Sequence, residues 1–206
     1  MKRSRIALAV GLASAGMALC TSVAAAATVQ TATQVAPLSG CSQPVMTQPF
    51  AFAKDFNAYT LAPGGTFDSA VSAGWELKSG AGIVQTAQPD GTVGGSLDLP
   101  SKSQATSPVL CVTSDYPTAR LHVRNLAGSE GVFFYVSYWN NGVWTAPKNT
   151  GQFHGSGNSL WTLSNPMNVQ PSGAAGWQQV RFTFVAGGNT SRFQVDNFWV
   201  DPRISH

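Results

Sequence analysis

Charged and histidine side chains are scarce in this chain. Only 10% of its 206 residues are Asp, Glu, Lys or Arg, and three are His, whereas a typical domain is about 25% charged. So few titratable groups argue against a histidine-rich metal centre, and the sequence has no glycine-rich nucleotide-binding motif. The polar surface must therefore consist of Ser, Thr, Asn, Gln and Gly, a composition that suits contact with neutral partners.

The small excess of basic residues is confined to the N-terminus. The chain has 12 Lys and Arg against 9 Asp and Glu, and three of the basic residues lie within the first five positions. An apolar run over 6–19 and small residues up to 27 follow, a pattern typical of an export signal. We expect a signal peptide over 1–27, a flexible leader over 28–40 and one secreted domain over 41–206.

The chain that remains after signal removal is formally neutral, with nine basic and nine acidic residues. A nucleic-acid-binding protein needs a basic surplus or stripe, and neither is present. No stretch beyond the signal approaches the roughly 20 apolar residues that a membrane-spanning helix requires. We therefore expect neither nucleic acid nor a membrane segment among the features of the mature chain.

Cysteine is nearly absent. One of the three cysteines, Cys20, lies in the expected signal, where the bulky residue before it disfavours lipidation, which leaves Cys41 and Cys111. Two cysteines that fold outside the reducing cytosol pair by default, so we expect a Cys41–Cys111 disulfide rather than two free thiols. It would close a loop of about 70 residues, worth roughly 4 kcal/mol in chain-entropy models.

Helical periodicity is also lacking beyond residue 40. Short runs of Val, Phe, Tyr, Trp and Thr alternate with Gly, Pro and Asn, which predicts an all-β, antiparallel β-sandwich. The turn signals at 140–142 and 187–189 predict hairpins. The predicted strands are 59–62, 74–78, 83–87, 96–99, 108–112, 120–125, 131–139, 143–147, 161–163, 178–186 and 192–200.

Alternation within these strands separates an apolar from a polar side. The polar side of the strands at 120–125 and 178–186 carries Arg120, His122, Arg124, Gln179 and Arg181. The strand at 131–139 is aromatic or apolar on both sides, with Tyr135 and Tyr138 pointing in opposite directions. Such a strand is either covered on both faces or offers aromatic rings to a ligand.

Two segments at the edges of the domain resemble a known family. They are Gly64-Gly65-Thr66-Phe67-Asp68 with Gly74-Trp75-Glu76-Leu77, and Phe193-Gln194-Val195-Asp196-Asn197-Phe198-Trp199-Val200-Asp201-Pro202. Together they resemble the first and last strands of galactose-binding-like jelly rolls, the fold of many carbohydrate-binding modules. The resemblance implies a non-catalytic module that contacts carbohydrate or another cell-envelope polymer. Through 48–50 and 59–65 the chain is also similar to short secreted bacterial proteins of unassigned function, a likeness that implies no activity.

The jelly-roll resemblance implies a structural Ca²⁺ held by Asp68 and Asp196 with backbone carbonyls, because calcium takes six to eight oxygen ligands. The sequence departs from the family pattern, since Asp stands at 68 where Glu is commoner and Asn197 replaces a second Asp. The alternative is that Asp68 binds local backbone while Asp196 faces solvent. No other cofactor is expected.

The resemblance also implies a sugar site, either on a sheet face or in the loops at one rim. Polar side chains for hydrogen bonds would come from Arg120, His122, Arg124, Gln179 and Arg181. Tyr135 or Tyr138 would provide the aromatic platform, and a rival surface is the hairpin tip with Trp139 and Trp144. Ordinary core packing and solvated sheet faces are the competing explanations for all of these residues.

Two other functions stay open. One is a structural or adhesive surface protein without a small-molecule ligand. The other is a hydrolase acting through His154, which lies in the glycine-rich segment 153–157. The sequence has no Gly-x-Ser-x-Gly elbow, and nothing in it pairs two carboxylates as a glycosidase requires.

Overall fold

A computed structural model describes residues 41, 44–113, 117–169 and 176–202. The expected signal peptide and leader lie outside these ranges. The described part contains one 3₁₀ turn (Ala51–Ala53) and the strands β1 (Thr60–Leu61), β2 (Glu76–Lys78), β3 (Gly82–Ala87), β4 (Val93–Pro100), β5 (Gln104–Thr106), β6 (Leu110–Val112), β7 (Thr118–Ala127), β8 (Val132–Asn140), β9 (Val143–Trp144), β10 (Lys148–Phe153), β11 (Thr162–Leu163), β12 (Met167–Asn168), β13 (Gln178–Ala186) and β14 (Arg192–Asp201). None of the described residues forms a helix with the length and apolar character needed to cross a membrane.

The strands form two antiparallel sheets. Sheet one has the order β11-β7-β14-β4-β3, with β1 beside β14 and β12 beside β7. Sheet two has the order β10-β8-β13-β5-β2, with β6 beside β13 and β9 beside β8. The predicted antiparallel β-sandwich is therefore confirmed.

Some strands differ from the prediction. The strand expected at 108–112 begins only at Leu110, and the strands β5, β10 and β12 were not predicted. The sequence of β10, Lys-Asn-Thr-Gly-Gln-Phe, is almost entirely polar, and most of its residues are exposed. A polar edge strand of this kind has no apolar alternation by which the sequence could mark it.

Phenylalanine and tryptophan rings fill the space between the sheets. Phe134 of β8 stacks on Phe182 of β13 with centroids 5.3 Å apart, and Phe198 of β14 contacts both rings edge-on. The fully buried Trp75 donates its indole N–H to the carbonyl of Pro63, 2.8 Å away. These large buried rings contribute most of the hydrophobic stabilisation of the fold.

The first resemblance motif is a packing device against sheet one. Phe67 adopts a positive φ of 61°, and its ring lies 4.9 Å from that of Trp75. A side chain on Gly95 of β4 would fall 2.7 Å from the carbonyl oxygen of Phe67. Glycine is therefore required there, because the loop lies directly against the strand.

Residues 44–59, which we call the strap, lie on the outer face of sheet one. Phe50 is only 1% exposed and Tyr59 is fully buried, and the backbones of Thr47 and Tyr59 exchange hydrogen bonds of 2.7 and 2.8 Å. Just before the strap, Cys41 forms the predicted disulfide with Cys111 of β6, with Cα atoms 5.6 Å apart. The disulfide thus ties the chain next to the strap to sheet two.

Candidate functional site

The five polar side chains expected on one face lie on two opposite surfaces. Arg120, His122 and Arg124 belong to β7 of sheet one, whereas Gln179 and Arg181 belong to β13 of sheet two. Alternation correctly assigned them to the outward sides of their strands. The expectation of a single polar face was wrong, because a period of two distinguishes inside from outside but does not say in which sheet a strand lies.

On sheet one, Arg120 is committed to the fold. Its Nη1 lies 2.6 Å from Oδ2 of Asp55 in the strap, and both side chains are 11% exposed. Its Nε and Nη2 donate to the carbonyl of Ser164 at 3.0 and 2.8 Å, and its guanidinium carbon lies 5.1 Å from the centre of the Phe50 ring. Arg120 therefore joins the strap, β7 and the segment after β11. Its guanidinium is occupied by these contacts and does not face a ligand.

The strap also covers His122. The ring of Phe50 lies 6.3 Å from the imidazole, and burial together with the charge of Arg120 lowers the pKa of His122. The imidazole Nδ1 is buried and has no hydrogen-bond partner among the described residues. At neutral pH this histidine is therefore an uncharged side chain beneath the strap.

Arg124 is likewise held in place. Its Nε donates to Oε1 of Gln194 at 2.7 Å, and its Nη2 also donates to the hydroxyl of Thr86 on β3. Its guanidinium carbon lies 4.7 Å from the centre of the Trp161 ring. The outer face of sheet one is thus covered by Phe50 at one point and by Trp161 at another.

The two expected calcium ligands also lie at sheet one. Asp68 is exposed and accepts a hydrogen bond of 2.7 Å from the backbone N–H of Gly95. Asp196 is fully buried, so it does not face solvent. Its Oδ1 accepts from the N–H of Asn197 at 2.7 Å, and its Oδ2 has no hydrogen-bond partner among the described residues.

The electrostatics around Asp196 suit a cation. Burial, opposed by the hydrogen bond from Asn197 and assisted by the charges of Asp68 and Asp90, raises the pKa of Asp196 to about 7. A buried, unsatisfied carboxylate oxygen near other carboxylates is what a calcium ion would stabilise. The described residues nevertheless contain no group of three or more His, Cys, Asp or Glu side chains suited to a metal. Asp68 and Asp196 would need backbone and water oxygens to complete the site, which stays a prediction.

The outer face of sheet two combines aromatic with polar groups. The outward residues of β8 are Phe133, Tyr135, Ser137 and Trp139. Beside them on β13, Arg181 is paired with Ser137 and Thr183 with Tyr135. Three aromatic side chains and one serine thus lie along about 20 Å of β8, next to Arg181 and Thr183 of β13.

The two tyrosines suggested as platforms have different environments. Tyr135 is partly exposed on this face, and its register partners are Asn149 of β10 and Thr183 of β13. Tyr138 points into the sandwich, belongs to the hydrophobic core and is only 6% exposed. Burial raises the pKa of Tyr138. Of the two, Tyr135 is the ring that a ligand on sheet two could reach.

The hairpin between β8 and β9 adds Trp139 and Trp144 to the same face. Their rings are edge-to-face with centroids 5.3 Å apart, and Trp144 lies over Arg181, 5.1 Å from its guanidinium carbon. The Nη2 of Arg181 pairs with Oε1 of Glu76 on β2 at 2.5 Å. The hairpin tip and the sheet face, treated as rival surfaces from the sequence, are therefore one surface.

Glu76 is the ionic partner of Arg181, which the sequence did not reveal. It lies 105 residues from Arg181 along the chain, and no motif links the two positions. The intermediate strand β5 brings them together, because Thr106 pairs with both Glu76 and Thr183. Gln179 completes this part of the face, opposite Cys111 of β6.

His154 is exposed on the loop after β10. A side chain on Gly131 would fall 2.8 Å from its Cε1. Within the described part of the chain no hydrogen bond joins His154 to a serine or a carboxylate. Nothing around this histidine therefore resembles the nucleophile, base and orienting acid of a hydrolase.

No family model matches the chain, and no curated protein matches it.

Solved structures similar to it include TmCBM61 in complex with β-1,4-galactotriose, with 8% identity, a TM-score of 0.45 and coverage of 68% of this chain and 98% of that chain. The CBM22-1 xylan-binding domain from Paenibacillus barcinonensis Xyn10C has 15% identity, a TM-score of 0.43 and coverage of 68% and 94%. A family 16 carbohydrate-binding module has 14% identity, a TM-score of 0.45 and coverage of 68% and 99%. An arabinose-bound α-L-arabinofuranosidase is similar over 26% of its own chain, with 20% identity and a TM-score of 0.45. Carbohydrate-binding modules are thus among the solved structures similar to this chain.

Proposed function

We propose that this protein is a secreted, non-catalytic module that binds a neutral carbohydrate on the outer face of sheet two. The observation that carries the proposal is the partly exposed ring of Trp144, held over Arg181 beside Trp139, next to the polar groups of β8 and β13. Secretion is supported by the export-signal pattern over 1–27 and by the disulfide, which is stable in an oxidising compartment.

The arrangement suits a sugar because it offers both kinds of contact that sugars need. The C–H face of a pyranose ring packs on an aromatic side chain, and its hydroxyl groups require donors and acceptors at fixed positions. Trp144 and Tyr135 provide rings. Ser137 and Thr183 contribute hydroxyl groups to the same face, although each residue is only 8% exposed, and the Thr183 hydroxyl shares a 3.0 Å hydrogen bond with Thr106.

The two buried charges on this face are paired with each other. Arg181 and Glu76 neutralise each other, and Lys78, 3.6 Å from Glu76, is largely exposed to solvent. The strands of sheet two contain no carboxylate other than Glu76. A glycosidase needs two carboxyl groups across the scissile bond, so this face supports binding rather than hydrolysis.

Arg181 acts in this proposal as a positioning residue. Its guanidinium is covered by Trp144 and fixed by Glu76, and a cation beneath an indole ring stabilises it by about 0.5–2 kcal/mol. The ring of Trp144 is thereby oriented before a ligand arrives, which lowers the entropic cost of binding.

The test is affinity electrophoresis of the full mature chain through gels containing soluble xylan, β-1,4-galactan or mixed-linkage β-glucan. We expect at least one polysaccharide to retard the protein, and Trp144→Ala to weaken binding about tenfold, equivalent to about 1.4 kcal/mol. Val143→Ala is the matched control, because Val143 is the neighbouring exposed apolar residue in the same short strand. Equal retardation of Trp144→Ala and the parent protein contradicts the proposal.

A second candidate function is adhesion without a small-molecule ligand, and one observation favours it. Phe52 and Phe56 in the strap are 73% and 66% exposed, which is unusual for aromatic residues and typical of contact surfaces. Adhesion would be favoured over carbohydrate binding by two results together. No polysaccharide gel retards the protein, and the parent protein is retained on a surface from which Phe52→Ser/Phe56→Ser is lost.

A further inference from the structure

Trp161 repeats the arrangement of Trp144 on the opposite side of the sandwich. It immediately precedes β11 at one edge of sheet one, and its indole Nε1–H donates to the carbonyl of Ala87, the last residue of β3, at 2.8 Å. β3 lies at the other edge of the same sheet. The ring is therefore anchored across the outer face of sheet one with its only polar group satisfied.

The underside of this ring is fixed as well. Arg124 lies 4.7 Å below it, and the guanidinium is held by Gln194 and Thr86. In both places an arginine from a central strand, locked by a side chain of its own sheet, supports a tryptophan that comes from an edge segment. Such support fixes the orientation of the ring without covering its second face.

A third arginine–aromatic pair shows that this arrangement does not by itself create a surface. Phe50, a residue of the strap, lies over Arg120 at a similar distance, 5.1 Å, but is only 1% exposed. Trp161 remains partly exposed and is not part of the hydrophobic core. The Phe50 pair is thus structural, whereas the Trp161 ring is accessible.

The loop immediately before Trp161 contains polar groups that are ordered by hydrogen bonds within the loop. Oδ1 of Asn158 accepts from the N–H of Leu160 at 3.2 Å, and the hydroxyl of Ser156 donates to the carbonyl of Leu160 at 3.3 Å. Asn158 and Ser159 are exposed, so they can exchange hydrogen bonds with a bound molecule. A partly exposed ring held in a fixed orientation, preceded in the chain by exposed amide and hydroxyl groups, has the chemistry that a sugar requires.

We infer that Trp161 is the platform of a second carbohydrate site, on the face opposite Trp144, and that one chain therefore binds two glycan chains. This inference rests on the proposed function. Because the two sites lie on opposite faces of the sandwich, they engage separate polysaccharide strands, and the protein cross-links them. Linking two sites in one rigid body raises the avidity for a polymer well above the affinity of either site.

The test is isothermal titration calorimetry of the mature chain with the tetrasaccharide of the xylan, galactan or β-glucan that retards it in gels. We expect two oligosaccharides per parent chain, one per chain for Trp144→Ala, one for Trp161→Ala, and none for the double variant. Mixing the parent protein with the long polysaccharide should produce turbidity that each single variant abolishes. Leu160→Ala is the control, because it removes a neighbouring exposed apolar side chain and leaves the ring.

The outcomes separate the two ideas. One oligosaccharide per parent chain, with binding lost in Trp144→Ala and unchanged in Trp161→Ala, overturns the second site and keeps the proposed function. Binding lost in Trp161→Ala but unchanged in Trp144→Ala overturns the site on sheet two. Trp161→Phe, which keeps a ring over Arg124, should retain the second site with weaker affinity, so its behaviour distinguishes loss of the platform from loss of the fold. Absence of binding to every polysaccharide overturns both.

Discussion

Replacing Arg120 by methionine should destabilise the fold by about 3–5 kcal/mol without removing carbohydrate binding. The substitution keeps an unbranched side chain of similar length and removes the charge that neutralises Asp55. Both partners of this ion pair are 11% exposed, and breaking a buried pair by removing one partner typically costs about 3–5 kcal/mol. The change also removes the two hydrogen bonds to Ser164.

Thermal unfolding of the mature chain, followed by tryptophan fluorescence, is a suitable assay. For a domain of this size each kcal/mol shifts Tm by about 2–4 °C, so we expect a decrease of about 6–20 °C. Lys78→Met is the control, because Lys78 is 61% exposed and lies 3.6 Å from its partner Glu76. Such a surface pair contributes about 0–1 kcal/mol.

A double variant identifies the cause of the loss. In Arg120→Met/Asp55→Asn no uncompensated charge remains under the strap, so we expect recovery of at least about 1 kcal/mol relative to Arg120→Met. Urea unfolding of all four proteins provides the free energies. A loss below about 1 kcal/mol for Arg120→Met, or no recovery in the double variant, would refute the description of Arg120 as a buried connector.

Acidification should act on two carboxylates in opposite ways. Despite burial, hydrogen bonds from Arg120, Tyr59 and Asn57 hold the pKa of Asp55 below its ordinary value, so its stabilising contribution is present at neutral pH and is lost as pH falls through that lowered value. Burial raises the pKa of Asp196 to about 7. The stabilising contribution of its protonated form is therefore present at low pH, and the free energy of unfolding falls by at most about 1.4 kcal/mol per pH unit as pH rises between about 4 and 7. In Asp196→Asn, Tm should depend less on pH over this window. If calcium binds there, adding it to metal-stripped protein should raise Tm at pH 7 in the parent and not in Asp196→Asn, and calorimetry without heat would exclude the site. Reduction of the disulfide should lower stability by roughly 4 kcal/mol, measured by urea unfolding with and without a reductant.

The side-chain period of two was enough to predict the layers of this fold. It placed Phe182 and Phe184 inside the sandwich and Arg181 outside, because each alternating strand buries one side. The disulfide was predictable because only two cysteines remain beyond the expected signal. The polar edge strand β10 was not, since it buries almost nothing and is held by backbone pairing with β8.

The candidate site was predictable only in its parts. Tyr135, Trp144 and Arg181 were singled out because aromatic and planar polar groups suit sugars, yet their meeting depends on strand order, which local patterns do not encode. For the same reason Arg120 could be placed on an outer face but not recognised as buried, because its partner Asp55 lies 65 residues away in a segment without regular alternation. Long-range partners decide whether an outward arginine meets a ligand or supports the fold.

The disulfide has a mechanical consequence. Cys111 receives the covalent link from Cys41, and two residues later Thr113 donates both its N–H and its hydroxyl to the carbonyl of Pro202, at 2.9 and 3.1 Å. A force applied to the chain at Cys41 is therefore transmitted through the disulfide to β6. While the sulfur–sulfur bond is intact, the strap bears little of that force. A load applied at Cys41 therefore bypasses the covering of sheet one instead of peeling it away.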